Sequence, residues 1–551
     1  MEMMNSQRKK LICALGLLLS MIVAGLLCPP VFYLNDDVTM RSILSGAYTG
    51  TPDGHAVYMG YPLTGLLALL YRLLPMVPWL ELFFAGCIWV CMYLTAEGFK
   101  SKLLGAVTSM VLYLPFFVYM HYTLVAALVA GCGVFLLCRG KRSIPSLLLL
   151  WIAYMIRSQV GLLSIPFVGA ALVWRFLQAE PEERRQKIRS GLKQAGCLAA
   201  GLLIIILIHR LCYSSEEWQA YLQYNDSRTQ LYDYTDFLST DKYQEEYAAY
   251  GMTLTEYQLL SSYNTMLDDG IDSTKMQEIA DKVTEGMESY APGWKEVVKQ
   301  YYLQIRYSDF PYNVLWMAAY VMLAVLLVWK LKWLQLGFVG ILGIGRSVVW
   351  MYLISQGRFP ERVSLSLYMI ELLLLLSIGL PVIQKQLSAW KVPVQRTVMV
   401  ACVVVMLVPG GWLTVNTREK VAQRVEVQAG WNLLREYCST HAENTYLMDV
   451  FSSVRYADNQ YTKDASNLML LGGWLTASPL TKERLEGLGG EDAAQVLCLQ
   501  ENAYLVTDPE ADVLWLESYL QERFGEVSLV KVDEISRRGG GFCIYKTIVQ
   551  P

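Results

Sequence analysis

Long apolar runs separated by polar connections fill the chain to about residue 415, where the pattern changes. About eleven runs are long enough, or nearly so, to cross a ~30 Å hydrocarbon core. They cover roughly 11–28, 79–97, 103–119, 122–138, 144–156, 160–177, 194–212, 312–329, 334–354, 363–383 and 396–414. The run beginning near Ile144 is the shortest. Two connections, 29–78 and 214–308, are too long for turns. In the first, Val38 to Ala47 places Met40, Ile43 and Leu44 on one side of a short helix. After the turn cluster Gly50 to Gly54, Pro62 opens a second apolar helix to Leu74, too short to cross and suited to the membrane interface. The second connection reads as helices over about 216–231, 242–268 and 274–306. Beyond 415, strands are expected at Thr445–Val450, Ala503–Thr507, Val527–Val532 and Phe542–Ile548, with amphipathic helices at Glu426–Tyr437 and Leu514–Phe524.

Composition agrees with a membrane protein: 54% of residues are hydrophobic, 17% are charged, and mean hydropathy is +0.31. Net charge is −3 without a long basic run, so nucleic acid is not an expected partner. The 12 cysteines lie mostly in apolar runs without CxxC spacing, and with 4 histidines they offer no zinc pattern. Cys438, Cys498 and Cys543 allow one disulfide at most. Gln7-Arg8-Lys9-Lys10 precedes the first run, which lacks a small-residue cleavage site and is read as a retained helix. Basic residues gather in alternate connections: Lys9-Lys10, Lys100/Lys102, Arg139 to Arg142, Arg184 to Arg189, Lys330/Lys332 and Lys385 to Arg396. The positive-inside rule makes these cytoplasmic. Connections 29–78 and 214–308, the His121, Arg157 and Arg358–Arg362 turns and the tail are then outside.

The expected fold class is therefore an α-helical polytopic membrane protein with about eleven spans. It carries an external helical loop domain and a C-terminal α/β soluble domain. The units are an N-terminal transmembrane module over 1–213, a helical insertion over 214–308, a second transmembrane module over 309–415 and an external α/β domain over 416–551. The expected location is the plasma membrane, multi-pass, with a cytoplasmic N-terminus and an extracytoplasmic C-terminal domain.

The candidate chemistry lies on the outer side. Asn35-Asp36-Asp37 sets two carboxylates just beyond the first span. One acid suffices to N-cap the helix that follows, which leaves the other unexplained. Arg157, in Tyr154 to Gln159, interrupts apolar sequence, and Arg358 and Arg362 flank a Phe-Pro turn between two spans. Guanidinium groups suit phosphate, and their bland alternative is anchoring at the headgroup layer. Gln159, His55, His121 and Arg228 are further candidates for substrate contact. Lone histidines in turns are more often simply solvated, and Arg228 has Asp233 as a structural partner within reach. Arg346, inside a span, requires a partner or a cavity. The sequence specifies no cofactor; a divalent cation is the open alternative, since hard cations take carboxylates, and Asp36 and Asp37 are where one would bind. The tail shows no phosphate loop and no linked nucleophile triad.

A first span, an external acidic pair, two interfacial helices and a run of spans resemble the GT-C superfamily of membrane glycosyltransferases, such as the protein O-mannosyltransferases and the aminoarabinose transferases of lipid A. The likeness covers about residues 1–180 and is architectural. Tyr58-Met59-Gly60-Tyr61-Pro62-Leu63 is similar in placement to a Pro-Pro-Leu element of some members, but has one proline. The resemblance implies transfer of a sugar from a polyprenyl-phosphate carrier to a glycan, lipid or protein acceptor. An external Asp, here Asp36 or Asp37, would act as base or acceptor-positioning group. The alternative is a non-catalytic transporter or assembly protein for a cell-surface glycopolymer, which should show internal repeats and midplane polar residues. An acyltransferase would be expected to centre on a membrane histidine, for which His209 is the candidate.

Overall fold

The computed structural model describes residues 2–140, 142–286, 292–357, 359–453, 461, 465–537 and 540–550. The first helix, α1 (Glu2–Leu27), stops before Cys28-Pro29-Pro30, where proline removes backbone donors and disfavours a helical residue ahead of it. β1 (Val31–Phe32), α2 (Asn35–Ser45) and α3 (Tyr61–Leu73) follow. Gly46 closes α2 in the left-handed region at φ 83°, and Pro62 sits in the first turn of α3. α2 starts at Asn35 rather than Val38, so both acids fall in its first turn. Leu34 takes the N-cap position without a side-chain bond, so the expected Asp cap is not what starts this helix.

α4 (Trp79–Glu97), α5 (Lys102–Val118), β2 (Tyr119–Met120), α6 (Tyr122–Arg139), α7 (Ser143–Ile156), α8 (Ser158–Leu163), α9 (Ile165–Leu177) and α10 (Arg184–Cys212) form the first half of an apolar bundle. α11 (Glu216–Tyr234), α12 (Lys242–Glu245), α13 (Leu254–Ser261), α14 (Ser273–Gly286) and α15 (Trp294–Tyr307) fill the long connection. The single helix expected over 274–306 is therefore two. α16 (Tyr312–Trp329), α17 (Trp333–Ser355), α18 (Glu361–Ser388) and α19 (Val392–Thr440) complete the bundle. α19 runs unbroken for 49 residues through Pro409-Gly410-Gly411, joining two stretches expected as separate helices.

Among the described residues nine helical segments, α8 and α9 counted together, are long and apolar enough to cross a membrane; α5 and α7 are apolar but shorter. Helices satisfy their own backbone groups, which is what apolar surroundings demand. α6 and α18 are buried along nearly their whole length at the bundle centre. A Cβ on Gly131 would come within 2.7 Å of Leu373 Cδ1 and 3.2 Å of Ile370 Cα, so this glycine lets the two helices approach closely. Arg346 of α17 finds the partner its position demanded: its Nε donates to Glu371 Oε2 of α18 at 3.1 Å, both side chains fully buried. Tyr320 donates to the other oxygen at 2.6 Å, and the rings of Trp316 and Trp350 lie 3.9 and 4.1 Å from the guanidinium carbon. At one end of the bundle Lys10 and Arg142 both pair with Glu97, while Lys100 donates to Ser388. The basic connections of α1, α4, α7 and α18 thus share an end.

At the opposite end lies a five-stranded mixed sheet. Its strands are β3 (Thr445–Met448), β4 (Leu468–Leu470), β5 (Ala503–Thr507), β6 (Val527–Arg537) and β7 (Gly540–Val549), in the order β4-β3-β5-β7-β6. β3 runs parallel to β4 and β5, while β7 is antiparallel to β5 and β6. Helices α20 (Val450–Ser453), α21 (Pro479–Gly487), α22 (Ala493–Leu499) and α23 (Leu514–Phe524) accompany it. The end of α19 packs Leu434 and Cys438 on Tyr446, Phe542 and Ile544. The long connection packs on the sheet in a second apolar cluster, which joins Leu231, Leu267 and Ile279 to Leu447, Leu505 and Leu520. All twelve cysteines are free, so the disulfide allowed by the sequence is not formed.

Candidate functional site

β1 and β2 pair in parallel, Val31 opposite Tyr119 and Phe32 opposite Met120, and Tyr33 N–H donates to Met120 O at 2.7 Å. This fixes the start of α2 beside the junction of α5 and α6. The two acids then diverge, as neighbours on a helix must, being separated by about 100° around the axis. Asp37 turns inward and is fully buried, and its Oδ1 accepts the backbone N–H of Tyr122 at 2.9 Å. That satisfies one of the open donors at the start of α6. Asp36 turns the other way, into a cavity of about 940 Å³.

The cavity lies where the helical bundle meets the sheet and the α11–α14 helices. It gathers Asp36 from α2, Arg157 and Gln159 from the break between α7 and α8, Arg228 from α11 and Arg362 from the first turn of α18. Gly472, Gly473 and Trp474 after β4 form part of the opposite wall. Arg157 stands at an extended residue, φ −151° and ψ 106°, where α7 breaks. Its guanidinium carbon is 5.2 Å from the ring centre of Tyr58 and 5.3 Å from that of Tyr122, two rings within 19° of parallel. Tyr58 is held there partly because Gly60 passes close to α7, donating its N–H to Met155 O at 2.6 Å. Trp474 packs on Tyr58 at 4.8 Å between ring centres, and its carbonyl accepts the Tyr221 hydroxyl at 2.7 Å.

Arg228 is buried and donates to Asn225 Oδ1 at 3.1 Å, to Thr229 Oγ1 at 3.0 Å and to the Tyr263 hydroxyl. Its expected partner Asp233 also lines the cavity and favours its charge electrostatically. The start of α18 is fixed by Glu361, which accepts from Tyr33 at 3.3 Å and pairs with Lys420 of α19 at 3.2 Å. Burial raises the Asp36 carboxyl above its ordinary range, while the guanidinium groups of Arg362, Arg157 and Arg228 draw it back and Asp233 pushes it up. One carboxyl and three guanidinium groups thus line the same cavity.

The remaining expected residues lie elsewhere. Asp37 is bonded away from the cavity, and burial, with Asp36 as a lesser cause, raises its carboxyl far above normal. His121 is buried, accepts Thr123 N–H at 2.9 Å as the N-cap of α6, and is held neutral by burial and by Arg362 and Arg157. His55 stacks on Trp218 at 4.3 Å and lies 2.7 Å from Asp53 Oδ1, outside the cavity lining. His209 accepts the Tyr61 N–H at 3.2 Å, a structural contact at the start of α3. Arg358 lies outside the described residues. Sequence reasoning missed Tyr58, Tyr122 and Trp474, and also Arg435 and Arg484, which line the same cavity. Nothing local in the sequence brings these segments together.

A divalent cation fits this site poorly. Asp36 faces three guanidinium groups, Asp37 is committed to Tyr122, and among the described residues no three acidic, histidine or cysteine side chains cluster as ligands. Three guanidinium groups beside one carboxyl suit an anion better than a metal ion. Comparison of the chain with family models, curated proteins and solved structures gives no match.

Proposed function

We propose that this chain is a membrane glycosyltransferase of the GT-C type, which moves a sugar from a polyprenyl-phosphate carrier to an acceptor hydroxyl in the cavity. The observation that carries this reading is the meeting of Asp36 with Arg157, Arg228 and Arg362, from four separate segments, in one sheltered space at one end of an apolar bundle. In this scheme the acceptor oxygen attacks the anomeric carbon and its proton passes to the Asp36 carboxylate. The bond from that carbon to the carrier phosphate breaks, and its electron pair stays on the phosphate oxygen. Arg157, Arg362 and Arg228 stabilise the charge that grows there. Tyr58, Tyr122 and Trp474 offer faces for a sugar ring.

In this reading α5 and α7 also cross, giving eleven spans. The end carrying Lys10, Lys100 and Arg142 is cytoplasmic, and the cavity opens on the outer face of a plasma membrane. The sheet and the α11–α14 helices then form the outer unit that receives a glycan, lipid or protein acceptor. Purified protein in nanodiscs, offered a panel of radiolabelled polyprenyl-phosphate sugars, tests this. Release of carrier phosphate from one donor is expected. Silence with every donor, beside measurable glycan binding, would favour the non-catalytic assembly role instead.

A further inference from the structure

We propose that α15 is a membrane-surface anchor that gathers anionic phospholipid headgroups, a role that depends on the membrane reading of the bundle but not on the transferase reading. One side of this helix is held by protein. Val297 is buried, and the Tyr301 hydroxyl meets Ser347 Oγ of α17 at 2.6 Å while accepting from Arg346 Nη1 at 3.0 Å. Ser347 itself donates to Gly343 O, so the Tyr301 proton is directed to Ser347. Ser347 lies roughly 12 Å of helix before the end of α17 at Ser355, at about 1.5 Å per residue. α15 therefore lies against the flank of a span instead of standing above it.

The adjoining side of α15 is apolar and open. Trp294, Val298 and Tyr302 follow at four-residue spacing with 66%, 43% and 53% of their surface exposed. That spacing makes a stripe along one face. The neighbouring spans also expose apolar surface, Val314, Met317 and Val321 on α16 and Ile344, Val348 and Tyr352 on α17. In the membrane reading those faces meet lipid, and α15 is held against α17 through Tyr301. Beside the stripe run Lys295, Lys299 and Arg306, all exposed, with Lys299 also paired to Glu296 at 3.3 Å and Arg306 over the rings of Tyr302 and Tyr307 at 5.7 and 5.1 Å. An apolar stripe flanked by a basic ridge is the signature of a helix lying in the headgroup layer, where long cationic side chains reach phosphate. The charge of the ridge selects anionic lipid over zwitterionic lipid.

The test uses the full chain with Tyr302→p-benzoylphenylalanine, reconstituted in vesicles of phosphatidylcholine and phosphatidylglycerol, and illuminated. Lipid adducts are expected at this position and not at an exposed control in the sheet unit, Glu491→p-benzoylphenylalanine. Phosphatidylglycerol should be over-represented in the adducts several-fold relative to its share of the vesicle. Adding Lys295→Gln, Lys299→Gln and Arg306→Gln should keep the adducts and remove that excess. Absence of lipid adducts at residue 302, or a crosslink to a second protein molecule there, would overturn the anchor. Adducts that mirror the bulk lipid mixture would overturn the selection of anionic headgroups.

Discussion

Asp37 Oδ1 accepts the Tyr122 backbone N–H at 2.9 Å, joining the helix that carries the acidic pair to the start of a central buried helix. Two adjacent carboxylates therefore have different work, one in the framework and one in the cavity. Replacing Asp37 by Ala leaves a buried N–H without its acceptor, at a cost of about 1–3 kcal/mol. Asp37→Asn retains an acceptor oxygen, so thermal unfolding in detergent should show Ala well below wild type and Asn close to it.

In the proposed transferase, Asp36 sets the pH response of turnover. The proposed base must be ionised, so activity falls as pH drops through its pKa, which burial holds above the ordinary value of about 3.9. Arg362 favours the ionised form, so Arg362→Gln should move the acidic limb of the rate profile to higher pH as well as slow turnover. A limb that stays in place while the rate falls would remove Arg362 from the surroundings of the base.

Much of the bundle was legible because apolar runs of crossing length have few alternatives to helix. The eleven runs are helical, although the run over 160–177 is divided between α8 and α9 and two helices, α5 and α7, fall short of crossing length, and Leu514–Phe524 forms as expected. Short elements were not legible: β4 has three residues, and its pairing with β3 is decided by distant chain. The long α19 was hidden by the fall in hydropathy after residue 415, which the helix crosses through the polar stretch Asn416 to Lys420. The pattern marked Asp36, Arg157, Gln159, Arg228 and Arg362 as unusual for their surroundings, and the fold places them in one cavity. It was blind to the direction in which each acid points, because that is set by β1 pairing with β2, a two-residue contact between segments far apart in sequence.

The Arg346–Glu371 pair gives a test of the bundle itself. Both side chains are fully buried and each has additional polar partners, so removing one leaves an uncompensated charge, at a cost of about 3–5 kcal/mol. Glu371→Gln or Arg346→Met alone should lower thermal stability strongly. The double variant should recover much of the loss, read as a coupling energy in a double-mutant cycle.

Asp309, between α15 and α16, gives a stability signature separate from catalysis. Burial raises its carboxyl to about 6, against an ordinary value of about 3.9 when unfolded, with Ser364 and Gln304 opposing the rise and Glu361 adding to it. The folded state therefore binds the proton more tightly, and its contribution to stability is full below about pH 4 and lost as pH rises through about 6. Asp309→Asn should match wild type at low pH and melt higher than wild type at neutral pH. An equal difference at both pH values would contradict this.

The most direct test of the account compares carrier-phosphate release by wild type, Asp36→Asn and Asp37→Asn in nanodiscs, with the fold of each checked by its melting curve. Asp36→Asn is expected to stay folded and to lose release by a factor of about 100 or more, the scale of general-base assistance. Asp37→Asn should keep most of its activity. Undiminished release by Asp36→Asn would remove the carboxylate facing the three arginines from the chemistry and contradict the central claim.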